Sequence, residues 1–108
     1  MYVIRRWYKT KRGHAMQAAT LIHKQAQIFH NAGHRSKFRV AFNGGTLPGE
    51  KDVVCLEWTD QALESPYRAD NELPREALEI GMKLREAGLV ESQWIEFFEM
   101  LTPDKFKE

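Results

Sequence analysis

The chain contains a single cysteine, Cys55. An internal disulfide is therefore impossible, and the cysteine-rich zinc patterns are excluded. Negative charge is nearly absent from the first half: up to Lys51 the only acidic residue is Glu50, set against Arg5, Arg6, Lys9, Lys11, Arg12, Lys24, Arg35, Lys37, Arg39 and Lys51. No run of ~18 apolar residues is present that would cross a bilayer. The start MYVIRRWYKT puts arginines where a signal peptide needs its apolar core. A cytoplasmic protein with no membrane partner is the expectation. No histidine follows His34, and neither an internal repeat nor a low-complexity segment occurs.

What remains is 108 residues with 43% hydrophobic content and a net charge of +1, which points to one domain over residues 1–108 with 103–108 as a short tail. A domain of this size buries roughly 65% of the surface its unfolded chain exposes, enough for a core without cross-links. From Asp52 onward acids dominate. A basic half can mark nucleic-acid binding, or two halves that interleave in one sheet and neutralise each other; the element order below favours interleaving.

YVIRRWYKT is rich in β-branched and aromatic residues and reads as a first strand, ending at Lys11-Arg12-Gly13. From His14 to about Ala32, Ala15, Ala19, Ile22, Ala26 and Phe29 recur at spacings of three and four, with Gln17, Thr20, Lys24, Gln27 and Asn31 opposite. This predicts a surface helix with a narrow buried stripe, stopped near Gly33. Phe38, Val40 and Phe42 alternate with Arg39, Ala41 and Asn43; Val54, Leu56 and Trp58 alternate with Val53, Cys55 and Glu57. The short connection makes these two strands an antiparallel hairpin. Thr59-Asp60 reads as a helix cap before a short helix over Gln61-Ala62-Leu63-Glu64, followed by the polar stretch YRADNEL. Pro74 opens a second helix, PREALEIGMKLREAG, with Ala77, Leu78, Gly81 and Leu84 inward and Gly88 closing it. SQWIEFFEML reads as a last strand, Ile95, Phe97 and Leu101 on one face and Trp94, Glu96, Phe98 and Met100 on the other. The order βαββαβ predicts a ferredoxin-like α+β fold: a four-stranded antiparallel sheet with both helices on one face.

The glycine-rich loop NGGTLPGE joins two strands rather than opening a helix, so it reads as a turn, not a phosphate loop. His30 and His34 are spaced for a shared metal, but Gly33 interrupts the helix between them and no carboxylate completes a set; no metal site is expected. The third strand, DVVCLEWT, lacks the aromatic run that RNA-recognition sheets use for base stacking, which argues against nucleic acid. Cys55, with no histidine beside it in sequence, reads as a packed thiol.

VVCLEWTDQALESPYR is similar to the strand, W-x-D-x-x-A-L junction of the dimeric α/β-barrel superfamily. With YKTKRG closing the first strand and FRVAFNGG in the second, the chain most resembles the NIPSNAP-like branch, related to antibiotic-biosynthesis-monooxygenase-like proteins. The resemblance implies a homodimer in which the uncovered sheet faces of two subunits pack into a barrel. It also implies a small-molecule cavity, between sheet and helices or within the barrel; no cofactor is expected for this chain. Haem-degrading members place a histidine ligand on the second helix, which this chain lacks, so haem is not expected. Cofactor-independent oxygenases of the superfamily use Asn, Trp or Tyr side chains; Asn43, Trp7, Tyr8 and Trp94 are the residues available here. An activity of that kind, a monooxygenase or isomerase acting on an aromatic or polyketide-like substrate, is the alternative to simple ligand binding.

If Phe38, Val40, Phe42, Val54, Leu56, Trp58, Ile95 and Phe97 pack under the helices, the opposite face carries Arg39, Asn43, Cys55, Glu57, Trp94, Glu96 and Phe98. The first strand lies between the third and fourth in that superfamily, which sets Arg5 or Arg6 near Glu57 and Glu96; the pattern does not say which of Arg5/Trp7 and Arg6/Tyr8 faces the cavity. The candidate ligand-binding residues are Arg6, Tyr8, Arg39, Asn43, Glu57, Trp94 and Glu96. Enclosed charges must be paired, so Arg6, Arg39, Glu57 and Glu96 form either an ion-pair network that fixes dimer register or a pocket. In the pocket an arginine meets an anionic ligand and a glutamate of raised pKa acts as acid or base.

Overall fold

The computed structural model describes residues 1–33, 36–62 and 74–108. Four strands, β1 (Tyr2–Thr10), β2 (Phe38–Asn43), β3 (Val53–Asp60) and β4 (Val90–Glu99), and two helices, α1 (Ala15–Asn31) and α2 (Arg75–Glu86), follow in βαββαβ order, with a 3-10 turn over Pro103–Lys105. The sheet is antiparallel with strand order β2-β3-β1-β4. Basic β1 thus sits between β3 and β4, and Arg5 is in register with Glu57 on one side and Glu96 on the other. This is the interleaving of charge expected from the sequence.

The two faces of the sheet follow from the period-two alternation of side chains. Ile4 and Tyr8 of β1 and Val54, Leu56 and Trp58 of β3 point to the helix side, where they meet Ala18, Ala19, Ile22 and Ala26 of α1. Alanine at the α1 contact lets the helix sit close to the sheet, and Ile22, 1% exposed, fills the centre. α2 packs on α1: Gln25 Nε2 donates to the Ala77 carbonyl at 2.9 Å and stands 3.1 Å from where a Cβ on Gly81 would lie. Gly88, at φ 62°, closes α2 in the left-handed conformation, and the Leu89 N–H returns to the Leu84 carbonyl at 3.2 Å.

Several expectations need correction. Thr59 and Asp60 do not cap a helix but continue β3, paired with Val3 and Tyr2; Gln61 and Ala62 are a bend, and the rest of the expected short helix, the YRADNEL stretch and His34 lie outside the described residues. Leu78 points outward, because the face of α2 that approaches α1 is the Ala77/Gly81/Leu84 side. Phe42, on the edge strand β2, is also 41% exposed. Ile95 and Phe97 do lie on the helix side of β4 but are 40% and 52% exposed, since the helix covering the sheet, α1, sits over β2 and β3.

Asp52, buried and the one described non-glycine residue at positive φ (57°), ties β1 to the start of α1. Its carbonyl accepts from the Thr10 N–H (2.8 Å) and hydroxyl (3.0 Å), and its carboxylate accepts from the Gly13 N–H (3.1 Å). Asp52→Ala leaves that N–H without its acceptor and places a β-carbon-only residue in the left-handed region. A loss of about 1–3 kcal/mol is expected, whereas Asp52→Asn, which tolerates this conformation and keeps an acceptor, retains most of the stability; urea midpoints of the two variants check this.

Candidate functional site

On the sheet face away from the helices, the register aligns one residue from each strand: Arg39 (β2), Glu57 (β3), Arg5 (β1) and Glu96 (β4). The row alternates in sign across the whole sheet. Arg5 Nε donates to Glu57 Oε1 at 2.7 Å, and Arg39 donates to the other carboxylate oxygen. Glu57 is 13% exposed and Arg39 78%. The Arg5 hydrogen bond, helped by that from Arg39, holds the Glu57 carboxyl below its ordinary pKa against the opposing effect of burial. Arg5 also lies over the ring of Phe98, 5.1 Å from its centroid. Of the two arginines left open by the sequence, Arg5 rather than Arg6 belongs to this group: Arg6 shares the helix side with Leu56 and Ile95, and Tyr8 is buried there beside Val54.

The neighbouring row runs Ala41, Cys55, Trp7, Trp94. Trp7 and Trp94 stack with centroids 6.2 Å apart and planes at 12°, and Trp94 Nε1 donates to Glu96 Oε1 at 3.3 Å. The Trp7 indole N–H is buried without a partner among the described residues. Cys55 is its neighbour on β3; burial first, and the negative charge of Glu57 second, push its thiol pKa up, the opposite of an activated nucleophile. Asn43 is at the end of β2, where its amide organises the loop: Nδ2 donates to the carbonyls of Leu47 (3.1 Å) and Pro48 (3.4 Å), and Oδ1 accepts from the Gly45 N–H (2.9 Å). The glycine loop is a turn built on that asparagine.

The candidates therefore divide. Arg39, Glu57, Trp94 and Glu96 come together with Arg5 on the open face, Asn43 stands at its border, and Arg6 and Tyr8 face the helices. A glutamate held ionised by two guanidiniums is a poor proton donor or acceptor near neutrality, so the acid-base role for Glu57 loses its basis and the ion-pair role gains it. A carboxylate with a depressed pKa contributes stability above its ordinary value, and that contribution is lost as pH falls through the depressed value. Glu57→Gln is expected to lower the urea midpoint at pH 7 and to flatten the loss of stability below about pH 4.5, the group's ordinary value; equal midpoint losses for both proteins between pH 7 and pH 3 would contradict it.

A second feature, without a signal in the sequence, is a groove of about 340 Å³ between α1 and the edge strand β2, lined by Met16, Ala19, Thr20, His23, Lys24, Val40 and Phe42. His23 also packs edge-on against Phe38 at 5.0 Å. The helical periodicity puts Thr20 and Lys24 on the solvent side of α1; only the edge position of β2, which leaves Val40 and Phe42 incompletely covered, brings them to an apolar wall. Among the described residues no group of three or more His, Cys, Asp or Glu is arranged to hold a metal, and no helix is long and apolar enough to cross a membrane.

Fold and face define a class: a ferredoxin-like α+β domain whose sheet has one helix-covered face and one open, ion-paired face. Several solved structures share the fold, among them the following three. A protein from Agrobacterium tumefaciens superposes with a TM-score of 0.71 at 17% identity, covering 92% of both chains. A NIPSNAP domain protein from Burkholderia xenovorans gives 0.64 at 15% identity, over 100% of this chain and 99% of the other. A dimeric protein of ferredoxin-like fold from Bacteroides fragilis gives 0.59 at 16% identity, over 92% and 96%. No family model and no curated protein sequence matches the chain. At these identities the likeness establishes the fold.

Proposed function

We propose that the protein is a homodimeric α/β-barrel protein of NIPSNAP-like type, joined through its open sheet faces, that binds a small organic ligand. The observation that carries the dimer is the character of that face: Trp94 and Phe98, each a little under half exposed, flank a row of alternating charges. Contiguous exposed aromatics mark association surfaces, and a central arginine-carboxylate row gives such a surface orientation. The structure of the dimeric Bacteroides fragilis protein supports the reading by fold.

The ligand site is the α1–β2 groove, whose volume falls within the usual range of small-molecule sites, roughly 300–1,000 Å³. Its lining by Met16, Ala19, Val40 and Phe42 suits an aromatic or aliphatic body, and the exposed Lys24 beside them suits an anionic group. Isothermal titration with a panel of aromatic carboxylates, and with anilinonaphthalene sulfonate as a general aromatic anion, tests this. One site per chain is expected, closed by Thr20→Trp and weakened by Lys24→Ala; absence of binding across the panel, or binding indifferent to Thr20→Trp, contradicts it.

A second reading, a cofactor-independent monooxygenase or isomerase, draws on one observation: the Trp7 indole N–H, buried beside an aromatic platform and without a partner among the described residues, would donate to a substrate oxygen that displaced the groups covering it. Oxygen-uptake and isomerisation assays over quinol-like substrates, with Asn43→Ala and Trp94→Phe for comparison, decide between turnover and binding alone.

A further inference from the structure

The order of residues across the open face specifies how two copies meet. From β2 to β4 the ladder reads Arg39, Glu57, Arg5, Glu96, alternately positive and negative, and its four charges sum to zero. The next row reads Ala41, Cys55, Trp7, Trp94, two small residues followed by two large ones. Two sheets stacked face to face about a two-fold axis have two simple aligned arrangements. With the axis running along the ladder itself, each of its residues meets its own copy, so arginine faces arginine and glutamate faces glutamate. With the axis along the strands, each row meets itself reversed. Arg39 then faces the second copy's Glu96 and Arg5 the second copy's Glu57, while Trp94 and Trp7 face the second copy's Ala41 and Cys55.

We infer that two copies pack with the two-fold axis parallel to the strands, β2 of one over β4 of the other, paired by reciprocal Arg39–Glu96 contacts. Charge selects this arrangement, and within it the large residues of the neighbouring row meet small ones. Charge opposes its alternative, since juxtaposed like charges are strongly unfavourable at an interface. The ladder also explains why Arg39 is far more exposed than Arg5 and Glu57: at the edge strand it is held by Glu57 on one side only and still has donors to offer, because a guanidinium carries five N–H groups. Glu96, at the opposite edge, accepts from Trp94 and retains acceptor capacity.

This inference rests on the dimer proposed above, and charge exchange separates the two. Arg39→Glu and Glu96→Arg are each expected to weaken self-association by at least about tenfold, because each homodimer contains two like-charge contacts. Mixed together, the two variants restore every contact: the introduced glutamate of one chain meets the introduced arginine of the other, and the unaltered Glu96 meets the unaltered Arg39. The cost of each swap within its own sheet is the same in homodimer and heterodimer, so preferential heterodimer formation reads only the contact between subunits. Within one chain the two positions are three strands apart, about 14 Å, too far for direct pairing. Native mass spectrometry of the mixture, with one chain isotopically heavy, measures the heterodimer fraction; well above one half is expected. A statistical mixture from variants that still dimerise overturns the orientation and leaves the dimer standing. A wild-type chain that is monomeric at micromolar concentration overturns both. Should a swapped chain not fold, a double-mutant cycle with Arg39→Gln and Glu96→Gln separates the same outcomes: coupled losses of dimer affinity support the arrangement, and additive losses contradict it.

Discussion

Ile22→Ala is expected to destabilise the protein by about 2–5 kcal/mol, the range for removing a large aliphatic side chain from a well-packed interior. Ile22 is 1% exposed and stands where α1 lies against the sheet, among Ala18, Ala19, Ala26, Leu56 and Val54. Its helix neighbours in the core are alanines, which cannot swing into the cavity, while larger members of the same cluster such as Ile4, Tyr8, Trp58 and Leu84 relax toward it only in part, so the loss should stay within that range. Against a total stability of roughly 5–15 kcal/mol for an ordinary domain, that is a large fraction. Urea unfolding at one fixed protein concentration measures it, because the proposed self-association would make the midpoint concentration-dependent. Leu47→Ala, an exposed loop position, is the comparison and should change stability by no more than about 0.5 kcal/mol.

Trp94→Ala is expected to raise the dissociation constant of the proposed dimer by about thirtyfold or more, the loss of ~2 kcal/mol that marks an interfacial hot spot. Trp94 is 42% exposed in the single chain, stacked on Trp7 and hydrogen-bonded to Glu96, so it would lose little freedom on the proposed association. Phe97→Ala removes a comparably exposed aromatic from the same strand but from the face turned toward the helices. It should leave association nearly unchanged. Equal effects of the two substitutions would mean that face does not matter, contrary to a dimer joined through the open side of the sheet.

The alternation in FRVAFN and VVCLEW made the hairpin and its two faces legible, because one set of positions is uniformly apolar. The first strand hid its phase. Its residues come in like pairs, Val3 with Ile4, Arg5 with Arg6, Trp7 with Tyr8, so a period of two fits equally well in either phase. Only packing decides: Ile4 and Tyr8 are in the core, which turns Arg5 and Trp7 to the open face. Thr59-Asp60 carries a real capping preference, but pairing with Tyr2 and Val3 extends β3 through both residues. Leu78 lies next to Ala77 on the helix, and a leucine is the more obvious core residue; the close approach of α2 to α1 at Gly81 turns the alanine inward instead. The α1–β2 groove had no signature, since it depends on which strand ends at the edge of the sheet and how far α1 extends over it.

The most direct test of association through the open face is sedimentation equilibrium of the wild-type protein at micromolar concentration. A dimer is predicted, one that Trp94→Ala dissociates and Phe97→Ala does not. A monomer across that range would show that the open face, with its tryptophans and its charge ladder, has no second copy to meet.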